Sequence, residues 1–179
     1  MADNSVPLSV VSSRDTQYLW ARIAIGKSIL VQNPPAGGRA YWFVVIERSS
    51  LKVVYNQLQQ APNVVPNIGA YNSSDYILVV ATIGLGLDVT PTGDLFNFLD
   101  FNGAGRELRR IEQIAQQFGC GTMGTFGYAL VGVLGGLNQP GFEASNIAGT
   151  SVGPVLTLQL MPFVNQGKTV YTPVQLSNA

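Results

Sequence analysis

The sequence contains no histidine, and only 11% of its 179 residues are charged. Histidine is the one side chain whose unperturbed pKa lies near neutral pH, and it is the commonest metal ligand. Its absence excludes Ser-His-Asp and Cys-His nucleophilic systems, zinc sites of the HExxH kind and facial-triad iron sites. The chain is therefore predicted to fold and to make contacts, and not to catalyse a reaction.

Charge of either sign is scarce. Ten basic and ten acidic residues balance to a net charge of zero, whereas an ordinary soluble domain has about 25% charged residues. A neutral surface with few charges gives little repulsion between copies, which favours association. The sequence has no basic stripe that could release counterions from phosphates, so no nucleic-acid partner is expected.

Long apolar runs and paired cysteines are also lacking. The longest apolar run is Tyr76–Ile83, far short of the ~20 residues of a membrane-spanning helix, so no membrane insertion is expected. Cys120 is the only cysteine, which excludes an intrachain disulfide. No signal-peptide pattern is visible at the start of the sequence. The expectation is a protein made in the cytoplasm or released in a particle.

Short β-branched and aromatic runs separated by turn residues predict several strands. Two pairs of runs predict hairpins, one turning at Gly26-Lys27 and the other at Arg48-Ser49-Ser50. Tyr76–Ile83 is continuously apolar, as expected of a strand covered on both faces. The other predicted strands are Val6–Ser12, Tyr18–Ile25, Ser28–Gln32, Ala40–Glu47, Leu51–Gln57, Phe126–Leu134 and Pro154–Phe163.

One segment, roughly residues 104–118, predicts a helix. Leu108, Ile111 and Ala115 follow the spacing of a buried stripe. Gly84–Gly105 is interrupted by glycine and proline, which indicates a long connection. The predicted fold class is α+β, a compact β/α sandwich of mixed sheets with this one main helix.

A single domain is expected over residues 1–163, with residues 1–5 flexible. Residues 164–179 are expected to form a C-terminal extension or arm. Within it, Lys168–Leu176 has strand character, and Pro173 restricts such a strand to the edge of a sheet or to an arm.

Two short motifs resemble nucleotide or nucleophile sites. Gly26-Lys27-Ser28 matches the end of a P-loop, but the glycine required five residues earlier is Ala21, and a hairpin is predicted here. Ser49 and Lys52 match a Ser-x-x-Lys pair, which needs a helical turn, whereas this stretch connects two strands. A turn is the favoured interpretation of each motif, and no catalytic residue or cofactor is predicted.

Four acids cluster around the long connection and the start of the predicted helix: Asp88, Asp94, Asp100 and Glu107. Paired carboxylates can hydrolyse glycosides or bind Ca²⁺. The spacing matches no EF-hand, however, and acids near a helix N-terminus are favourable because of the helix dipole alone. Asp88, Asp94 and Asp100 are therefore candidates for a metal site beside that simpler interpretation.

Aromatic residues are concentrated at the start of the run Ala40–Glu47. Alternation along a strand places Tyr41 and Phe43 on one face and Trp42 on the other. One face must belong to the core. An aromatic on the second face could stack on a sugar, fill a pocket of a partner or be covered by the helix.

Read in order, several segments resemble the interleukin-like EMT inducer (ILEI) domain, also called the GG domain, in a bacterial or phage-type form. The matching segments are 21–30, 38–47, 51–55, 76–81, the helix up to Phe118-Gly119, Tyr128–Gly132 with Gly135-Gly136, and 154–158. The resemblance implies a non-catalytic β/α sandwich. In one family member this domain resembles a lectin module for β-linked N-acetylglucosamine. Arg39 then corresponds to a sugar-contacting arginine.

Other family features are absent from this sequence. Ile83-Gly84-Leu85 stands where the family often has an acidic element before glycine, and no charge lies near Thr125, where the sugar-binding member has an arginine. The paired cysteines of the secreted members are also missing.

Two functions from different classes remain open. The first is a non-enzymatic structural or interaction protein, a homo-oligomer or part of a phage or surface particle. Its tail, with Tyr171, Pro173 and Leu176, would add to a neighbouring subunit's sheet. The alternative is a carbohydrate-binding, lectin-like adhesion module that contacts glycans through Arg39 and Trp42. The expected partners are copies of the chain, particle proteins or glycans.

Overall fold

The fold is dominated by β-structure. The computed structural model describes residues 4–15, 19–34, 38–118, 124–136, 139–147, 152–165 and 167–175. Of these residues, 51% lie in strands and 18% in helices, and hydrogen bonding links the strands into one large mixed sheet. The predicted α+β class, a balanced β/α sandwich with one main helix, is therefore wrong.

The described residues form eleven strands and two α-helices. The strands are β1 (Val6–Ser13), β2 (Ala21–Ile25), β3 (Ser28–Gln32), β4 (Ala40–Glu47), β5 (Val53–Gln59), β6 (Tyr76–Ile83), β7 (Leu85–Gly86), β8 (Thr125–Val133), β9 (Phe142–Asn146), β10 (Val152–Asn165) and β11 (Lys168–Val174). The helices are α1 (Gly93–Phe101) and α2 (Arg106–Phe118), and short 3₁₀ turns cover Gly69–Tyr71 and Leu87–Val89. Both predicted hairpins are confirmed, with positive φ at Gly26 in the first turn.

The sheet has two antiparallel sections. The outer section has the order β3-β2-β1-β10-β11, and the central section has the order β5-β4-β6-β8-β9, with β7 paired to the start of β8. The sections join where Ser13 of β1 pairs in parallel with Ile83 of β6. Through this pair, the two sections form one continuous hydrogen-bonded sheet.

The central section is buried on both faces. Along β4, Trp42 and Val44 pack in a core shared with the outer section, whereas Tyr41 and Phe43 pack on the opposite side with the helices. Every residue of β6 after Tyr76 is buried, which confirms the interpretation of its continuous apolar run. The outer section contributes one face to the first core.

Helix α1 lies in the segment that was predicted to be a connection. Its nine residues bury Leu95 and Leu99, one turn apart, against the central section. A helix of this length is marginal by itself and depends on tertiary packing. The sequence pattern did not predict it, because the glycine and proline residues around it indicated a connection. Helix α2 agrees with the predicted helix, with Leu108 and Ile111 fully buried.

The segment expected to be a C-terminal extension contains sheet residues. Strand β10 continues to Asn165, and β11 pairs with it in register from Asn165↔Lys168 to Gln159↔Val174. Pro173 lies opposite Leu160 and is buried. The tail as far as Val174 therefore completes the chain's own sheet.

The corner between α1 and α2 sits directly on β8. Asn102 is buried at this corner; its side-chain amide donates to the Phe98 carbonyl at 2.8 Å, and its Oδ1 accepts from the Gly135 N–H at 3.2 Å. A Cβ added to Gly132 of β8 would lie 2.1 Å from the Asn102 carbonyl oxygen. Only glycine at position 132 lets the two helices approach the sheet this closely.

We expect Gly132→Ala to lower the free energy of unfolding by about 1–3 kcal/mol, because a methyl group forced into a packed site displaces backbone. Urea denaturation followed by circular dichroism measures the change. Gly69→Ala is the matched control, since no atom lies within 4 Å of its added Cβ; its change should stay within about 1 kcal/mol. Equal effects of the two substitutions would contradict this account of the corner.

Candidate functional site

The two residues expected to contact a sugar have different environments. Arg39 is exposed immediately before β4. Trp42 is 0% exposed, and its indole N–H donates to Asn56 Oδ1 at 2.7 Å. Trp42 is buried because the outer section covers that face of β4, so it presents no ring to a sugar. The expected contact is corrected accordingly: Trp42 is a core residue.

The acids expected to form a metal site lie on separate parts of the structure. Asp88 and Asp94 are exposed, in the 3₁₀ turn and in the first turn of α1. Asp100 forms an ion pair with Arg109, with 2.6 Å between Nη1 and Oδ1. Across the described ranges, no three acidic or cysteine side chains are grouped so that they could hold a metal ion. The structure does not assemble the three candidates into a site.

A polar cluster that was not predicted from the sequence lies beneath the start of α2. In β9, Phe142 and Ala144 pack in the core between the sections, so Glu143 faces the helices. Its carboxylate accepts the N–H groups of Glu107 and Leu108, at 3.1 and 3.3 Å. These donors belong to the first turn of α2, where N–H groups have no partner inside the helix. Glu143 therefore caps α2 from a neighbouring strand.

Tyr128 and Ser145 complete this cluster. The Tyr128 hydroxyl donates to Glu143 Oε1 at 2.6 Å, and the Ser145 hydroxyl donates to Glu107 Oε2. Burial raises the pKa of Tyr128 well above its ordinary value of 10.0, and the charge of Glu143 adds to the shift. Tyr128 thus stays a neutral donor. Each member already has a structural partner, so we interpret the cluster as a cap and not as an acid-base site.

Arg48 ties the C-terminal strand to the rest of the sheet. Its guanidinium donates to the Tyr171 carbonyl at 2.8 Å, the Ser74 carbonyl at 2.7 Å and the Thr172 hydroxyl at 2.6 Å. The Arg48 carbonyl accepts the Tyr171 N–H at 2.9 Å. Burial lowers the pKa of Arg48, and Asp75 acts in the opposite direction. We call these contacts the Arg48 clamp.

The clamp occupies residues that were expected to mediate assembly. Tyr171 uses both its N–H and its carbonyl on Arg48, and Pro173 is buried against β10. Leu176 lies outside the described residues. The clamp thus engages part of the β11 edge that was expected to add to a neighbouring subunit.

Two shallow cavities lie near this strand. The first, about 210 Å³, is bordered by Glu47, Arg48, Asp75 and Lys168, and the Arg48 donors facing it are used by the clamp. The second, about 200 Å³, lies where Pro173 meets β8 and β9, and its lining has no ionisable side chain. The first cavity is also lined by Ser49, which is exposed in the turn between β4 and β5.

The outer section has one face without cover from any described element. Its residues belong to neither hydrophobic core, and Ile29, Val31 and Val155 are 59%, 51% and 57% exposed. We call this the outer face. It consists of two cross-strand rows, Val31, Arg22, Val11 and Val155 in one and Ile29, Ala24, Ser9 and Thr157 in the other.

Comparison with protein families matches no family model, and comparison with curated proteins finds no significant similarity. In the described part of the chain, no helix has the length and apolar character that crossing a bilayer requires.

We expect the stability of the protein to fall as pH rises above 10, because unfolded tyrosine loses its proton there while the raised pKa of Tyr128 keeps it protonated in the folded state. Tyr128→Phe should make this decline shallower. Part of the decline should remain in this variant, because burial also raises the pKa of Tyr41. Urea midpoints measured from pH 8 to 11 test this, and parallel declines for both proteins would contradict it.

Proposed function

We propose that this chain is a non-enzymatic interaction protein that associates with copies of itself, as a component of a particle or surface assembly. The outer face is the observation that carries the proposal. An antiparallel sheet with one face in water normally alternates apolar residues inside with polar residues outside. Here Val31, Val11, Val155 and Ile29 occupy positions on the solvent side.

The charge of the outer face supports self-association. Arg22 is its only ionisable residue. Contiguous exposed apolar surface usually marks an interaction site, and two such faces brought together would desolvate few charges. Because the whole chain has a net charge of zero, long-range repulsion does not oppose the approach of a second copy.

The carbohydrate-binding alternative has lost one of its two expected contacts. Arg39 remains exposed, but Trp42 is buried in the core. A glycan array read with the wild type and with Arg39→Ala would favour it only if binding occurs and the substitution removes it.

A relation to the ILEI or GG domain also remains a proposal. Three glycines lie in the segments that resemble this domain. Gly132, Gly135 and Gly136 contact the corner after α1 or the end of that helix. A Cβ on Gly136 would overlap the Phe101 ring. These contacts give the three glycines a packing role in this chain.

We expect light scattering to show that the mass of the purified protein rises above the 19.1 kDa of the monomer as concentration increases. Val155→Glu should weaken this association at least about tenfold, because a buried unpaired carboxylate costs more than the ~1.4 kcal/mol that a factor of ten represents. Association is measured as the concentration at which half of the chains are bound.

Val164→Glu is the matched control, since Val164 lies on the same strand, is 78% exposed and is not part of the outer face. It should associate as the wild type does. A wild type that stays monomeric at all concentrations would contradict the proposed function. Equal weakening by the two substitutions would rule out the outer face as the contact.

A further inference from the structure

Strand β3 is an open edge of the outer section. In the described part of the chain it pairs with β2 alone. At the other end of the section, the Arg48 clamp engages β11. The central section has two edge strands, β5 and β9. The pairing of β5 with β4 has a register shift between Val45 and Ile46, and the Gln59 side chain donates to the Ala61 and Val64 carbonyls that follow β5.

The backbone of β3 is arranged to accept another strand. Its hairpin closes through a two-residue turn on the pair Ile25↔Ser28, and such a turn closes on a hydrogen-bonded pair. Antiparallel alternation then directs the N–H and carbonyl groups of Ser28, Leu30 and Gln32 towards β2. Those of Ile29 and Val31 point away from β2, at the free edge.

The sequence of β3 has none of the features that usually protect an edge. Exposed edges are normally blocked by lysine, proline, a bulge or an inward charge. Ser28-Ile29-Leu30-Val31-Gln32 contains no charged residue and no proline, and its pairing with β2 has no register shift. The two residues that point their backbone groups outwards, Ile29 and Val31, are also more than half exposed.

We infer that β3 pairs antiparallel with β3 of a second copy, about a two-fold axis at Leu30. In this register Ile29 lies opposite Val31 of the second copy, and each such pair exchanges both of its free N–H and carbonyl groups. The polar end residues, Ser28 and Gln32, also lie opposite each other. The strand is thus complementary to its own reversed copy in backbone groups and in side-chain type.

Charges do not oppose this pairing. Lys27, at the turn, lies opposite the position of Asn33 in the second copy. The two Lys27 residues are then six positions apart along the strand direction, roughly 20 Å. That separation exceeds the ~8 Å screening length at physiological salt. Two copies can therefore approach through β3 without like-charge repulsion at the edge.

This pairing rests on the proposed function and specifies its first contact. It joins two outer sections into one continuous sheet, in which the two outer faces lie side by side on the same side of the dimer. The face-to-face contact that Val155→Glu tests is then a second contact, made between the joined outer faces of two such dimers. A few backbone hydrogen bonds and two exposed apolar pairs make a small interface, which is typical of weak, concentration-dependent association.

Disulfide trapping tests the register. In a Cys120→Ser background, Leu30→Cys places two thiols at a non-hydrogen-bonded pair on the axis, with Cα atoms about 4.5 Å apart, within the range that a disulfide can bridge. We expect mild oxidation to give a dimer on a non-reducing gel. Ser28→Cys is the control: its two copies lie roughly 13 Å apart, so it should remain largely monomeric.

A second substitution tests the backbone contact. Adding Val31→Pro to Leu30→Cys removes an N–H that points at the free edge and leaves the pairing with β2 intact, so trapping should fall at least tenfold, whereas adding Val31→Thr should preserve it. Circular dichroism checks that each variant is folded. If Val31→Pro prevents folding, the comparison of Leu30→Cys with Ser28→Cys still decides.

The outcomes separate the two proposals. A wild type that is monomeric in light scattering overturns both the proposed function and the pairing. A wild type that associates while Leu30→Cys traps no more dimer than Ser28→Cys overturns only the pairing through β3. Preferential trapping of Leu30→Cys that Val31→Pro abolishes establishes the contact.

Discussion

The fold depends on the burial of the central section between two apolar layers. Strands β4, β6 and β8 contribute alternate side chains to a core shared with the outer section and to a second core shared with the helices. A layer buried on both sides favours apolar residues on both faces, which accounts for the largely apolar sequences of these strands. Thr82 of β6 is buried because its hydroxyl is hydrogen-bonded to the backbone of Tyr128. The outer section and the helices each have only one face in these cores, so surface suited to contacts with other molecules lies on their other sides.

Two partly buried charged residues, Glu143 and Arg48, have structural roles. The Glu143 carboxylate accepts hydrogen bonds from N–H groups in the first turn of α2. The Arg48 guanidinium donates hydrogen bonds to carbonyl groups on two segments that are far apart in the sequence. A buried ionic group is retained when its hydrogen bonds are complete, because leaving it unpaired would be costly. In such a chain, polar clusters are poor guides to chemistry unless they also face an accessible cavity. Of the two clusters, the Arg48 clamp borders a cavity, but the Arg48 guanidinium is already engaged by the Tyr171, Ser74 and Thr172 acceptors.

The sequence allowed the parts with strong local patterns to be predicted. The hairpin at Gly26, the doubly covered strand β6 and helix α2 follow from turn residues, an unbroken apolar run and an amphipathic stripe. Helix α1 could not be predicted, because nine residues depend on tertiary packing and the flanking glycine and proline favoured a connection. The burial of Trp42 could not be predicted, because it depends on which layer of the fold covers that face of β4. The role of Glu143 could not be predicted either, because it depends on contact with a helix that is distant in sequence. The balance of helix and strand was misjudged for a different reason: β9 was not predicted, and β11 lies in the segment that was assigned to an extension, so the extent of the sheet was underestimated.

The Arg48 clamp has a consequence for biosynthesis. It joins side-chain and backbone groups separated by 123 and 124 positions along the chain. Contacts between such distant residues form slowly, since the intervening chain must first be ordered. Strand β11 follows every other described strand in chain order, so it is translated last of them, and β10 can complete its pairing only once β11 has been made. Until then the nascent polypeptide exposes an incomplete edge at β10, and this is the stage at which chaperone protection would matter most.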